Sequence, residues 1–382
     1  MERAGEFNRN KLVMRILQVI DSLGNGGAEK FTVALGNELA VSHEVTLCSL
    51  RPIEKWMLPP KLIHEMVEVI DLGGHKKYSI SSLRKLINTV RRRKPDVVLA
   101  QSSIAAFYAF IVSLLYSRPQ YFQVVHSTLT PGYRKVFRTF SALSPLSKRM
   151  SNICISGALY QQFRNTYPKL RFLEIDNGLP EPQLSEDLER VRLELKRYKK
   201  DDSTKVFLAV GNYSDYKNFV VLTEVFRQLH LSGRNTVLLI IGGGGGASAT
   251  NYEKVAAVRA PNTHQLGLRG NVADYMACAD ALIVPSTKEG MPLVIIEAFA
   301  SSLPVIATPA GGVVDMVEHR RNGLLSRGFS RQEILESIKE FLLLSETEVK
   351  LMRSRARETF SERYSISKSA IKYLDAMGER VA

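Results

Sequence analysis

The sequence predicts an α/β protein of two doubly wound parallel-sheet domains, and three observations predict it. Short β-rich apolar runs alternate with stretches of helical periodicity, and the runs are apolar residue after residue, as strands covered on both faces are. The alternation breaks at the turn-rich DNGLPEPQ (residues 176–183) and the charged stretch that follows to residue 203, and then restarts. The chain's 382 residues exceed one ordinary core and suit two domains of common size. Both domains read as Rossmann-like, with boundaries expected at 14–180 and 181–365.

RILQVID (residues 15–21) opens as a strand, and GGAEKFTVALGNELA follows as a helix with apolar residues three and four apart. HEVTLCSL, VEVIDLG, DVVLAQS, YFQVVH, NICIS and RFLEID are the next strands. Residues 81–93 form a helix among them, closed by Pro95. After the break KVFLAVG is a strand, residues 218–230 a helix, and TVLLIIGGGGG a strand ending in a glycine run. ALIVPS and PVIAT are strands with the helix LVIIEAFA between them, and residues 331–382 are mostly helical in pattern. Ligands of such sheets bind at the carboxyl ends of strands, so the loops after each run are expected to line a cleft between the domains.

Hydrophobic residues make up 45% of the chain, which sets intrinsic disorder aside. The first thirteen residues, MERAGEFNRNKLV, lack a signal-peptide apolar region and are expected to be an extension ahead of a fold that begins at Met14. IAAFYAFIVSLLY (residues 104–116) falls short of the roughly 18 residues of a spanning helix and reads as a buried helix. Cys48, Cys154 and Cys278 are odd in number and have no metal-ligand spacing, which suits a reducing cytosol and argues against a disulfide framework or a zinc site. The 52 Lys and Arg outweigh the 38 Asp and Glu, a net charge of +14, with clusters at residues 91–94 and at Arg134, Lys135, Arg138, Lys148 and Arg149. No aromatic platform or zinc finger accompanies this charge, so nucleic acid is set aside as a partner. An anionic inner-membrane surface and a merely solvated basic face both remain open.

Two carboxylates in STKEGMPLVIIEAFASSLPVIAT (residues 286–308) carry the chemistry. TKEGM is the loop after the strand ALIVPS, and Pro292 suits the first turn of the next helix, where its missing N–H leaves no bond unmade. Glu297 then stands one to two turns in, its side chain leaning back over Leu293 toward the loop that carries Glu289. Both carboxylates address the mouth of one strand–helix unit, beside a helix N-terminus suited to phosphate. A carboxylate's two acceptor oxygens match a vicinal diol, so one glutamate suits sugar hydroxyls, the other a ribose, and the helix end a diphosphate. The residues alone leave a second reading open, with Glu297 on an exposed stripe and Glu289 a solvated loop acid.

The pattern S-x-x-E-G-x-x-L-x-x-x-E-A, followed by P-V-I-A-T-x-x-G-G and N-G-L-L, resembles the retaining glycosyltransferases of GT-B fold. This is the nucleotide-sugar-dependent family with an E-x(7)-E motif, typified by bacterial envelope-polysaccharide enzymes. The match is most specific over residues 285–325 and looser over most of the chain. The resemblance implies that Glu289, Gly290, Met291, Pro292 and Leu293 hold the donor sugar and Glu297 the nucleotide ribose. GNGGAEKF (residues 24–31) is similar to the family's N-terminal glycine loop, so Gly26 and Gly27 are implied to approach the donor phosphates and sugar. From the residues alone it is a strand–glycine loop–helix unit with N–H groups available to an anion. His126, ending YFQVVH, matches the family's active-site histidine, which bonds the donor sugar. A strand-end histidine taken alone is more often structural.

DNGLP matches the family's asparagine–glycine turn at the domain junction, and the glycine run, with Gly243, a loop of the nucleotide domain. HQLGLRGNV (residues 264–272) resembles the segment that lines the base, with Leu268 and Arg269 as side-chain candidates. By the same resemblance a C-terminal helix within 366–382 packs back on the N-terminal domain. The family grips the diphosphate with an arginine and, five residues later, a lysine; here Lys217 holds the lysine's place and Asn212 the arginine's. Asparagine donates hydrogen bonds but brings neither a charge nor a five-donor fork. The chain has no D-x-D pair to hold a metal, so Lys217, the glycine-loop amides and the helix end are expected to neutralise the leaving diphosphate.

These readings predict a cytosolic, metal-independent and cofactor-free retaining glycosyltransferase, with His126, Glu289 and Lys217 as catalytic candidates. It is expected to move a sugar from a nucleotide-diphosphate donor, a UDP-sugar, to a hydroxyl of a glycan or lipid-linked glycan acceptor at the inner face of the membrane. Retention is implied by same-face attack assisted by the departing diphosphate. A donor on the C-terminal domain and an acceptor on the N-terminal one require closure. One rival is a NAD-dependent oxidoreductase built on the glycine run, which lacks a G-x-G-x-x-G turn with a ribose acid about 20 residues on. The other is a non-catalytic GT-B scaffold, suggested by the departure at Asn212.

Overall fold

The computed structural model describes residues 13–24, 26–52, 59–76, 78–129, 134, 137, 138, 150–243 and 249–378. All of the expected leader except Val13 lies outside them, as do Lys135, Lys148, Arg149 and positions 244–246 of the glycine run. By contact density the chain divides into two compact units. One takes in the chain up to Ile153, Phe163–Leu173 and the chain from Ala370; the other takes in Cys154–Gln162 and Glu174–Ser369.

In the first unit β1 (Arg15–Ile20), β2 (Glu44–Ser49), β3 (Val67–Asp71), β4 (Val97–Ala100), β5 (Gln120–Val125), β6 (Met150–Cys154) and β7 (Phe172–Glu174) form a sheet in the order β3-β2-β1-β4-β5-β6-β7. β1 pairs in parallel with β2, Arg15 opposite Glu44, and with β4, Ile16 opposite Val97. Helices account for the continuous apolarity of these strands. Leu17, Val19, Val98 and Ala100 pack with α2 (Ile80–Arg93) and α3 (Ser103–Leu115). The alternate residue Gln18 reaches α1 (Gly27–Ala40) on the other side. The Ser79 hydroxyl accepts from Ser82 N (3.2 Å) to start α2, and Lys94, in the left-handed region (φ 47°), ends it just before Pro95. Residues 103–115 are the helix expected there, though Leu114 and Leu115 at its end are exposed. Among the described residues no helix is long and apolar enough to cross a membrane.

α4 (Gly157–Thr166) follows β6, and α5 (Leu188–Tyr198) occupies the charged stretch read as a break. Val191 and Leu195, one helical turn apart, are the buried residues of α5, so a two-residue apolar stripe is outweighed by charge in the sequence. The second unit's sheet runs β10-β9-β8-β11-β12-β13, and every neighbouring pair is parallel. Its strands are β8 (Lys205–Val210), β9 (Thr236–Ile241), β10 (Thr263–Gly267), β11 (Ala281–Val284), β12 (Val305–Ala307) and β13 (Gly323–Leu325). β10 and β13 were not legible as strands. β10 lies at the sheet edge with half-exposed, polar THQ, and β13 is three residues long.

Phe207, Leu238, Ile240 and Ile283 pack against Leu222 and Phe226 of α6 (Phe219–Leu231). α7 (Ala249–Ala257), α8 (Val272–Cys278), α9 (Leu293–Ala300), α10 (Arg331–Leu343), α11 (Glu346–Thr359) and α12 (Ile366–Gly378) complete the order. α10 and α11 both open with a full capping box, Ser330 with Glu333 and Ser345 with Glu348. Tyr373 and Met377 of α12 touch first-unit groups: Tyr373 lies 6.0 Å from the Phe31 ring, and Met377 O accepts from Gln120 Nε2 at 2.9 Å.

The DNGLP turn is locked to the end of the helical tail. Arg363 forks onto Asp176 (Nε–Oδ2 2.9 Å, Nη2–Oδ1 3.2 Å), while Leu179 N donates to Tyr364 O (3.0 Å) and Ile366 N to Leu179 O (2.9 Å). Gly178 lies so close to Ser365 that a Cβ there would stand 2.5 Å from its carbonyl oxygen. Asp176 is buried while Arg363 keeps solvent contact, so deleting the arginine leaves a carboxylate short of its partner. Arg363→Ala is expected to lower stability by about 2 kcal/mol, below the full buried-pair loss because the guanidinium is partly hydrated. Urea unfolding checks this: the midpoint falls with an unchanged slope, and an unmoved midpoint sinks the assignment.

Candidate active site

β8 and β11 are neighbours in the sheet, Ala281 opposite Phe207, although β9 and β10 intervene in the chain. The order reverses here, and the loops after the two strands emerge beside each other. They are tied together: Thr287 N donates to Tyr216 O at 2.8 Å. The first loop ends in a single 3-10 turn, Asp215–Lys217, closed by Asn218 in the left-handed region (φ 58°). Lys217 doubles back over Gly211, its Cε 3.4 Å from where a Cβ would sit, with its ammonium 5.7 Å from the Tyr216 ring centre. Lys217 Nζ meets Glu289 Oε1 of the second loop at 2.8 Å, the two side chains only 15% and 10% exposed.

Two glycines that sequence reasoning left without a role set the position of Glu289. Gly311 (φ 54°) and Gly312 follow β12, and a side chain at either would collide with the carbonyl oxygen of Glu289 or of Gly290, respectively. The catalytic-candidate loop therefore lies directly on the glycine pair. The Gly290 carbonyl also accepts from Ser156 Oγ (3.3 Å), and Met291 Sδ accepts from Asn177 N (3.3 Å). Pro292 stands at the N-cap rather than inside the first turn, and Leu293 begins α9. Ile295, Ile296, Ala298 and Phe299 turn into the core, whereas Val294 and Glu297 form a partly exposed stripe, so Glu297 is not buried among its apolar neighbours.

Asn212 is exposed, and its Oδ1 accepts from Ser214 Oγ at 2.9 Å. At the end of β9 a side chain at Gly242 would collide with the Gly211 carbonyl, which gives the start of the glycine run a packing reason. Gly243 lies under Leu268, within 3.4 Å of where its Cβ would be. Arg269 is drawn to Tyr275 (Nε–Oη 3.1 Å) and Glu194 (3.8 Å), so its guanidinium is held in that network rather than at Lys217 and Glu289.

In the first unit the order reverses between β1 and β4. Gly26 caps α1, and a side chain there would run into the carboxylate of Glu29. Burial and the nearby Asp21 carboxylate hold Glu29 above the usual carboxylate range. This acid beside Gly26 and Gly27 makes the loop a better partner for hydroxyls than for phosphate. His126 follows β5 with its ring edge-on to Phe31 (5.9 Å) and its Nε2 3.1 Å from Gln101 Oε1. Burial pushes its imidazole down to about 4. The structure thus gathers Lys217, Glu289 and the start of α9 in one place and sets His126 on the other sheet.

Residues 25–178 match the family described as Glycosyltransferase Family 4, and residues 191–359 that described as Glycosyl transferases group 1. An uncharacterized glycosyltransferase of Haemophilus influenzae is 30% identical over 166 residues, 43% of this chain and 46% of its own. Lipopolysaccharide glucosyltransferase WaaG of Escherichia coli is 27% identical over 191 residues, 49% of this chain and 50% of its own. The chain spans about half the length of these curated relatives. HepE of Anabaena, solved with UDP and glucose, has a TM-score of 0.79 over 96% of this chain and 100% of its own at 19% identity, a likeness of fold. Two parallel, doubly wound domains of this kind define a GT-B architecture. The chain belongs to the GT-B glycosyltransferase family.

Gly311→Ala is expected to force the Glu289 loop off its seat, costing about 1–3 kcal/mol in stability. Thermal melts check it: the variant should melt lower than the wild type, and a wild-type melt would show that the glycine seat is dispensable.

Proposed function

We propose that this protein is a retaining glycosyltransferase that moves a sugar from a nucleotide-diphosphate donor, a UDP-sugar, to a hydroxyl of a glycan or lipid-linked glycan in cell-envelope polysaccharide synthesis. The observation that carries this reading is the Lys217–Glu289 pair at the reversal point of the second sheet, beside the amino end of α9. An ammonium has three donors, so Lys217 is able to hold Glu289 and a phosphate oxygen together. Glu289 accepts from hydroxyls of the donor sugar and Glu297 from the ribose, while Gly243, Leu268 and the β10 end serve the nucleotide. The relatives support this: WaaG is named as a lipopolysaccharide glucosyltransferase, and HepE was solved with UDP.

Lys217 and the N–H groups opening α9 stabilise charge as it develops on the leaving diphosphate, so the reaction proceeds without a metal. The acceptor oxygen bonds to the anomeric carbon on the face from which the C–O bond to diphosphate breaks, and its proton passes to the departing phosphate oxygen. No protein nucleophile enters, and configuration is retained. His126, kept neutral by burial, takes part in the transfer reaction. The basic surface is assigned to an anionic inner-membrane face, with Arg84, Lys85, Arg91 and Arg92 on the exposed side of α2.

Calorimetric titration with UDP in excess chelator tests the donor site. Lys217→Ala should weaken binding on the order of tenfold or more, since a bond to a charged group is lost, and turnover should nearly vanish. Asn212→Arg should bind UDP as tightly as the wild type or more tightly, because it adds the missing charged fork. Wild-type UDP affinity in Lys217→Ala would place the diphosphate elsewhere.

The membrane assignment is checked with vesicles. Binding to anionic vesicles should fall steeply between low and physiological salt and be weak on neutral ones. Equal binding to both leaves the charge as a solvated surface.

A further inference from the structure

Of the three fully buried glutamines of the first unit, Gln18, Gln101 and Gln123, two belong to one network, Gln18 within β1 and Gln101 just after β4. They form a single chain that ends on His126. Gln18 Nε2 donates to the Thr32 carbonyl in α1 (3.2 Å), Gln101 Nε2 donates to Gln18 Oε1 (2.8 Å), and His126 Nε2 meets Gln101 Oε1 (3.1 Å). The first link dictates the direction of the others. A backbone carbonyl carries no hydrogen, so Gln18 must turn its NH2 toward Thr32 and its oxygen toward Gln101. Gln101 must then turn its NH2 toward Gln18 and its oxygen toward His126. That oxygen can only accept, so the imidazole hydrogen resides on Nε2.

A second observation points the same way. At Gly36 of α1 a Cβ would stand 2.8 Å from Gln18 Nε2, so the helix has a glycine where the first amide docks. The imidazole is neutral near pH 7, and its Nδ1 is buried without a hydrogen-bond partner among the described residues. We propose that Gln18 and Gln101 are positioning residues, a relay from the Thr32 carbonyl that fixes His126 in the Nε2–H tautomer and holds its ring for the transfer reaction. The functional half rests on the reading of His126 given above. While the relay holds, Nε2–H is spent on Gln101, so His126 is not a general acid, and any hydroxyl it engages must donate to Nδ1.

The test is nitrogen NMR of the full chain labelled at its 7 histidines, with the His126 signals identified by their loss in His126→Gln. The wild type at pH 7 should show the Nε2–H tautomer alone. Gln101→Leu should yield a tautomer mixture. Its kcat should fall on the order of fivefold, the worth of about one hydrogen bond, with KM for the donor within about twofold. Gly36→Ala, which displaces Gln18 without touching the histidine, should shift both readouts in the same direction and serves where Gln101→Leu fails to fold. An Nδ1–H or mixed tautomer in the wild type overturns the proposal, as does a variant that keeps both the wild-type tautomer and kcat. The spectra need no turnover, so a protein without transferase activity would sink the functional reading and leave the relay to be judged on its own.

Discussion

Each sheet of this protein is organised by a reversal of strand order, and the rest follows from that constraint. A parallel strand can be reached only by a crossover, and crossovers are right-handed, so helices formed before and after the reversal fall on opposite faces of the sheet. The loops leaving the two central strands must therefore part, and a crevice opens at their carboxyl ends. In the second sheet the parting loops are those after β8 and β11, which bring in Lys217 and Glu289 from 72 residues apart. In the first sheet they are the glycine loop after β1 and the Gln101 turn after β4.

The Lys217–Glu289 pair is better understood as placement than as stability. At 2.8 Å and an effective dielectric near 20 its attraction is about 6 kcal/mol, and the cost of drying each ion is several kcal/mol, so the two largely offset. What the pair secures is geometry, because each partner is anchored from behind. Lys217 is folded over Gly211, whose carbonyl in turn presses on Gly242, and the Glu289 loop rests on Gly311 and Gly312. Gly242, Gly311 and Gly312 are there for one physical reason: backbone approaches backbone too closely for a side chain to fit between.

Much of the fold was legible in the residues. The strands around RILQVID, KVFLAVG and ALIVPS stood out because burial on both faces demands unbroken apolar runs, and α9 because Pro292 marks its start. The missed elements lacked that demand. β10 is a half-exposed edge, β13 is three residues long, and α5 shows its core two side chains. Glu297 sits among apolar sequence neighbours, yet the helix turns it onto a partly exposed stripe with Val294, which sequence adjacency does not report.

The sequence by itself determined the alternation of strand and helix and the restart after DNGLPEPQ, since periodicity is a local property of the chain, and its resemblance to a family supplied the candidates Lys217, Glu289, Glu297 and His126. Tertiary structure alone decided which of them meet. The Lys217–Glu289 contact, the engagement of Arg269 by Tyr275 and Glu194, and the relay from Thr32 to His126 all join residues from different elements. Gln18 and Gln101 did carry a signal, as amides set against apolar runs, but what satisfies a buried amide is fixed by strand order and helix packing, and neither is written within any one segment.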